Sequence, residues 1–153
     1  MALDFSQTWT SVRGLVFFGW LIAAMRLLLE MVAPEQARYI GVYFVMPAAY
    51  LYYGLNGRLD GLSWPRLAIA MITVAFWVWF VPNALSYTTA QFMGWEFGRF
   101  AAESAGPIAA TALGKIGSGL TTASGTFIGG MLWSILWGSL LIWIPGRWRK
   151  RQA

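Results

Sequence analysis

Four long apolar stretches occur along the chain, and the first three are separated by short polar or turn-forming segments. A helix that crosses a bilayer needs about 20 mainly apolar residues, and each stretch has roughly that length. The pattern therefore predicts four transmembrane helices, at about 12–33, 39–56, 64–86 and 126–145. Pro34 is expected to close the first and Pro145-Gly146 the last, because proline disfavours helix at the residue before it.

The segment from about 87 to 124, between the third and fourth predicted spans, is less apolar but keeps helical spacing. One stripe contains Met93, Phe97, Phe100 and Ala101, and a second contains Ile108, Ala112, Leu113, Ile116 and Leu120. This pattern predicts one or two amphipathic helices at the membrane interface, hinged at Gly106-Pro107. A re-entrant hairpin is the alternative, since glycines in this segment permit close backbone approach.

Composition supports a membrane protein. The 153 residues are 58% hydrophobic and only 11% charged, whereas a soluble domain is typically about 25% charged. The expected fold is a single all-α integral membrane domain over 1–153, a bundle of four transmembrane helices with the interfacial segment between spans 3 and 4.

The charges predict the orientation. With four spans, seven cations lie on one side, namely Arg13, Arg58, Arg66, Arg147, Arg149, Lys150 and Arg151. Arg38, Arg99 and Lys115 lie on the other. The positive-inside rule then places both termini in the cytoplasm, in a plasma (inner) membrane. The four cations of the C-terminal basic tail are expected to contact anionic lipids, namely Arg147, Arg149, Lys150 and Arg151. Nucleic acid is not an expected partner.

Arg26 and Glu30 stand inside the first predicted span. They are four residues apart, so they share a helix face and can pair. An ionisable residue at the centre of a span costs about 2.5–3.5 kcal/mol on insertion scales. Either Glu30 reaches the outer interface with Arg26 snorkelling after it, or the two form a buried polar site that opens outward.

Tyrosines of the second span would complete such a site. At about 100° per residue, Tyr39, Tyr43, Tyr50 and Tyr53 fall on one face of a helix. Interfacial enrichment of tyrosine accounts for the two ends of this stripe but not for the inner two residues. The hypothetical ligand or ion site therefore consists of Arg26, Glu30, Tyr39, Tyr43 and Tyr50.

Small residues recur at every fourth position of the last span. Thr126, Gly130, Ser134 and Gly138 form this helix-packing ladder. Such a ladder lets another helix approach closely, within the chain or in another subunit.

Side chains that carry chemistry are scarce. The chain has no Cys and no His, which excludes disulfides, cysteine-ligated zinc and c-type haem attachment. No catalytic constellation, metal site or cofactor is predicted. Arg99, with Glu96 and Glu103 nearby in sequence, is predicted to lie on a solvated helix face.

These features favour a non-enzymatic protein, a structural or accessory subunit of a larger membrane complex. The alternative is a small oligomeric transporter or channel with an outward-facing polar site at Arg26, Glu30, Tyr39 and Tyr43. A third possibility is a lipid-binding protein in which 86–124 covers a hydrophobic groove. The expected partners are membrane lipids and either other membrane subunits or further copies of this chain.

Overall fold

The computed structural model describes residues 5–37, 39–60 and 62–152, and the side chains of 8–149 within those ranges. Helices make up most of the described chain, and no strand occurs in it. The predicted all-α fold is confirmed for these residues.

Four main helices form the bundle. They are α1 (Phe5–Val32), α2 (Val42–Leu55), α3 (Trp64–Met93) and α4 (residues 112–152). A π-helical turn interrupts each of the last two, at Phe76–Phe80 in α3 and at Ser134–Gly138 in α4. Short helical turns at Pro34–Ala37, Gly98–Phe100 and Ala102–Ala105 lie in the connections.

Three of these helices are long and apolar enough to cross a membrane: α1 over Thr8–Val32, α3, and α4 over Ala112–Arg149. Helix α2 is apolar but has only 14 residues, with Pro47 inside it. At about 1.5 Å per residue it is about 21 Å long, shorter than the ~30 Å hydrocarbon core of a bilayer.

The interfacial segment differs from the prediction. Helix α3 runs on to Met93 and ends where Gly94 adopts a left-handed conformation, with φ of 67°. Helix α4 begins at Ala112, capped by the Thr111 hydroxyl, which accepts the amide of Gly114 at 3.1 Å. Residues 112–124 are therefore the first turns of the last helix and not a separate amphipathic helix.

Glycine explains the difference in α4. Its early glycines lower the apparent hydrophobicity of 112–124, and the alternative of a re-entrant hairpin takes them as positions of close backbone approach. In the structure Gly119 is buried where the backbone of Thr88 passes, and a Cβ there would overlap that residue. The glycine serves close helix packing, which a periodicity argument on one helix does not reveal.

The prediction that Pro145-Gly146 closes the last helix is wrong, and two prolines lie inside the long helices. Helix α3 continues through Pro82, and α4 continues through Pro145 to Gln152. In α3, the Asn83 amide donates to the Trp79 carbonyl at 2.6 Å. A side chain thus satisfies a carbonyl within the π-helical turn and close to the proline, where the regular backbone pattern is broken.

Helices α3 and α4 pack antiparallel. Gly119 faces Thr88, Gly130 faces Trp79, and Gly138 faces Met71. Helix α2 lies alongside α4, with Gly54 against the backbone of Leu141. The largest fully buried side chains, among them Trp79, Tyr50, Met46 and Met71, form the core between these helices.

The connections separate into two ends of the bundle. The Glu30 end contains residues 33–37, 39–41 and 94–111, where a Cβ on Gly98 would lie 3.8 Å from Glu30 and 3.9 Å from Pro34. The Asp60 end contains residues 56–60 and the C-terminal part of α4, where Gly57 and Gly146 both approach Asp60.

The basic tail is partly engaged within the molecule. Arg149 forms an ion pair with Asp60 at 2.9 Å and donates to the Leu55 carbonyl. The Arg147 guanidinium lies 4.2 Å from the centre of the Trp143 ring. Two of the four cations expected to contact lipid therefore have partners in the chain itself, and the side chains of Lys150 and Arg151 lie outside the described residues.

Candidate functional site

A three-residue ionic network is buried at the Glu30 end of the bundle. Glu30 is only 3% exposed, near the end of α1. One carboxylate oxygen, Oε1, accepts a hydrogen bond from Arg26 Nε at 3.1 Å. The other, Oε2, lies 2.8 Å from Arg99 Nε, an ion pair without the alignment of a hydrogen bond. The acid thus bridges two arginines that come from different parts of the chain.

Arg99 is held from several sides. Its Nη1 donates to Asn83 Oδ1 at 2.8 Å, and its Nη2 donates to the Ser86 hydroxyl at 3.3 Å. The guanidinium also lies over two rings, 4.9 Å from the centre of Phe100 and 5.3 Å from that of Tyr87. These contacts attach the connection after α3 to α3 itself, and the ion pair with Glu30 attaches it to α1.

The position of Arg99 overturns the prediction of a solvated helix face. Glu96 and Glu103 are both exposed, and neither is the ion-pair partner of Arg99. Burial lowers the pKa of the Arg99 guanidinium, and the Glu30 carboxylate beside it opposes that shift. Arginine nevertheless remains protonated under ordinary conditions, so the network carries two positive charges and one carboxylate.

The connection that carries Arg99 is packed in place. Phe100 is 2% exposed and lies against Tyr87, with ring centres 5.3 Å apart. Gln91 anchors the next part of the loop, accepting from the Ala109 amide at 2.9 Å and donating to the Pro107 carbonyl at 3.4 Å. The segment between α3 and α4 is therefore fixed to the bundle by both aromatic and polar contacts.

A cavity of about 450 Å³ borders the network, between α1 and α3. Arg26 and Arg99 both line it, and so do the polar side chains of Asn83, Ser86 and Thr89. The rest of its lining is mainly apolar and aromatic, from Trp20, Ala23, Ala24, Leu27, Val42, Tyr43, Val78, Trp79, Pro82, Leu85, Tyr87, Trp95 and Thr126. Pockets for small molecules typically measure roughly 300–1,000 Å³ and combine an apolar lining with a few polar groups.

The structure brings together only part of the predicted site. Arg26 and Tyr43 both line the cavity, where the Tyr43 ring packs edge-on against Trp79 with centres 5.7 Å apart. Glu30 does not line it and belongs to the site through its ion pair with Arg26. Tyr39 is 68% exposed and does not line the cavity. Tyr50 is fully buried elsewhere in the core, where its hydroxyl bonds that of Ser134 at 2.9 Å.

The small-residue ladder of α4 is used inside the molecule. A Cβ on Gly130 would overlap the Trp79 ring, and one on Gly138 would overlap Met71. Ser134, fully buried, bonds Tyr50 as described. Thr126 lines the cavity.

The site offers hydrogen-bond donors and positive charge rather than metal ligands. Among the described residues, no group of three or more acidic side chains converges. Two guanidinium groups, an amide and hydroxyls beside an apolar hollow can bind and orient a molecule that has a polar and an apolar part. No protein-family model matches the chain, and no curated protein or solved structure matches it either.

Proposed function

We propose that this chain is a non-enzymatic, multi-pass membrane protein that binds a small molecule at its Glu30 end, as a small transporter does. The observation that carries the proposal is the buried network of Arg26, Glu30 and Arg99 beside a cavity of about 450 Å³. Four spans, both termini in the cytoplasm and an outward-facing site complete the proposal.

Charge distribution and packing support this topology. Seven of the eleven Lys and Arg residues lie toward the Asp60 end, which the positive-inside rule assigns to the cytoplasm. Helix α2 runs beside α1, as two contacts show: Tyr53 packs at Gly14, and Gly41 lies near Arg26. It thus connects the same two ends as α1 does, which favours a fourth crossing despite its short length.

The energetics favour a binding role over a purely structural one. A buried ion pair is often no more stabilising than apolar residues of the same volume, because desolvation offsets the attraction. Protein interiors are also close-packed, so an open hollow beside the network leaves contacts unmade. Both features make sense if a ligand occupies the hollow and uses the charges.

An accessory subunit of a membrane complex is the second candidate. The ladder that first suggested it packs within the chain, but another surface of α4 is open. A Cβ on Gly117 or Gly125 would meet nothing within 4 Å, and Ile128 and Leu132 are exposed farther along the helix. Intact-complex mass spectrometry after mild-detergent extraction tests this candidate, since a lone chain would argue against it.

Filling the cavity tests the binding role. Ala23 lines the cavity, and Ala23→Phe would occupy part of it. Ala48, exposed on α2, is the matched control, because Ala48→Phe adds the same ring outside the cavity. Mass spectrometry of molecules that co-purify with each variant should show a species retained by the natural chain and by Ala48→Phe but lost from Ala23→Phe. The same profile from all three proteins would contradict the proposal.

A further inference from the structure

We infer that the ligand of this cavity is an amphiphile with one alkyl chain and a singly negative headgroup, either a carboxylate or a phosphate. The inference rests on the proposed binding function and specifies the chemistry of the ligand. It follows from the charge of the site, from the accessibility of its two arginines and from the apolar side chains that line the rest of the cavity.

The site has one positive charge more than its own acid can balance. Helix α1 contributes Arg26 and Glu30, and the connection after α3 contributes Arg99. The other described residues that line the cavity, from α2, α3 and α4, carry no charged side chain. An uncompensated charge in apolar surroundings is costly, so a ligand with one negative charge would be favoured over a neutral or cationic one.

Arg26 is the arginine available to the ligand. Its side chain is 25% exposed. Among the described residues, that side chain makes one polar contact, the hydrogen bond from Nε to Glu30. Arg99, at 17% exposure, already uses its two terminal nitrogens on Asn83 and Ser86. A guanidinium can hold a carboxylate or phosphate through two parallel hydrogen bonds, which suits a headgroup placed at Arg26.

The lining beyond Arg26 accommodates a hydrocarbon chain. Leu27 and Val78 line the cavity. Leu85 also lines it and is 64% exposed, so the cavity opens to the surface there, between α1 and α3. Ala24, which also lines it, is exposed as well. In a membrane this opening would face lipid, so one chain could enter from the bilayer while its headgroup stays at the Glu30 end.

Affinity measurements on the purified full chain test the inference. Oleate, oleyl alcohol and oleoyl lysophosphatidylglycerol, whose phosphodiester carries one negative charge, are titrated in a neutral detergent at mildly alkaline pH, with bound ligand measured by native mass spectrometry. Oleate or the lysophospholipid should bind about tenfold or more tightly than the alcohol, a difference of about 1.4 kcal/mol. Preference for oleate points to a free fatty acid as the source, and preference for the lysophospholipid to a phosphate-bearing lipid.

Variants locate the charge. Arg26→Gln should abolish the preference for the anion, whereas Arg13→Gln, exposed and outside the cavity, should keep it. Arg26→Lys, which keeps the charge without the planar pair of donors, should retain part of the preference and serves if Arg26→Gln does not fold.

The outcomes separate this inference from the proposed function. If the alcohol binds the natural chain as tightly as both anions do, and Ala23→Phe abolishes that binding, the cavity binds amphiphiles but the assignment of an anionic headgroup is overturned. If Ala23→Phe changes the binding of none of the three compounds, the proposed function fails as well.

Discussion

Arg99 places its Nε 2.8 Å from Oε2 of Glu30 and so joins the connection after α3 to the end of α1. Glu30 would otherwise share its buried carboxylate with Arg26 alone. The contact therefore has two consequences: it compensates an acid inside an apolar helix, and it holds part of the wall of the cavity.

Arg99→Ala is expected to destabilise the protein by on the order of 3 kcal/mol, because removing one partner of a buried ion pair leaves the other charge poorly compensated. Asn83 and Ser86 would also lose their bonds to the guanidinium. Thermal unfolding in detergent, followed by circular dichroism, measures the loss. Glu103→Ala, an exposed change in the same connection, is the control and should leave the melting temperature nearly unchanged.

Glu30→Gln should destabilise the protein, because it leaves Arg26 and Arg99 near one another without a carboxylate between them. The double variant Glu30→Gln with Arg99→Gln removes one charge of each sign and should recover part of the lost stability. Glu96→Gln, on an exposed residue, is the control. If the double variant loses as much unfolding free energy as the two single variants lose together, Glu30 and Arg99 are not coupled.

Tyr50→Phe is expected to cost about 1 kcal/mol, since it removes the hydrogen bond to Ser134 that links α2 to α4. Both residues are fully buried, so water does not replace the lost partner. Tyr52→Phe makes the same chemical change on a side chain that is 54% exposed and should be nearly neutral. Equal melting temperatures for the two variants would contradict a contribution from the buried bond.

Two glycines of α4 provide a matched pair. Gly130→Ala should destabilise by about 1–3 kcal/mol, because its methyl group would overlap the Trp79 ring, which is 1% exposed and has no room to move. Gly125→Ala, whose methyl group meets nothing within 4 Å, should instead stabilise by up to about 1 kcal/mol through helix propensity. The melting temperature, or the midpoint of unfolding in guanidinium chloride, should therefore shift in opposite directions for the two variants.

Sequence patterns predicted the helical class and the pairing of Arg26 with Glu30, because both depend on spacing along one helix. They did not reveal Arg99 as the second partner, since that contact depends on how a connection folds back over α1. One signal was available: the charge count placed Arg99 on the side of the membrane to which Glu30 points. Its local neighbours Glu96 and Glu103 offered a simpler explanation, which the structure overturns.

The contacts of the small and aromatic residues also could not be predicted from the sequence. Tyr43, Tyr50 and Tyr53 share one face of α2, whereas Tyr39 lies before the helix begins at Val42. The direction from which other helices pack decides that Tyr43 borders the cavity and Tyr50 contacts Ser134. The spacing of the α4 ladder predicts a packing surface but not the helix that packs on it. In the structure that helix is α3, since Gly130 faces Trp79. Periodicity identifies a face, and tertiary packing determines what that face meets.

The absence of cysteine makes the proposed topology directly testable. Ser63, just before α3, and Ser104, in the connection after it, are both exposed and lie at opposite ends of the bundle. With both termini in the cytoplasm, Ser104→Cys should react with a membrane-impermeant maleimide in intact cells, and Ser63→Cys should react only after the membrane is permeabilised. The reverse labelling would invert the orientation and place the cavity on the cytoplasmic side. Equal labelling of both sites in intact cells would mean that α3 does not cross the membrane, and the proposal of four spans would fail.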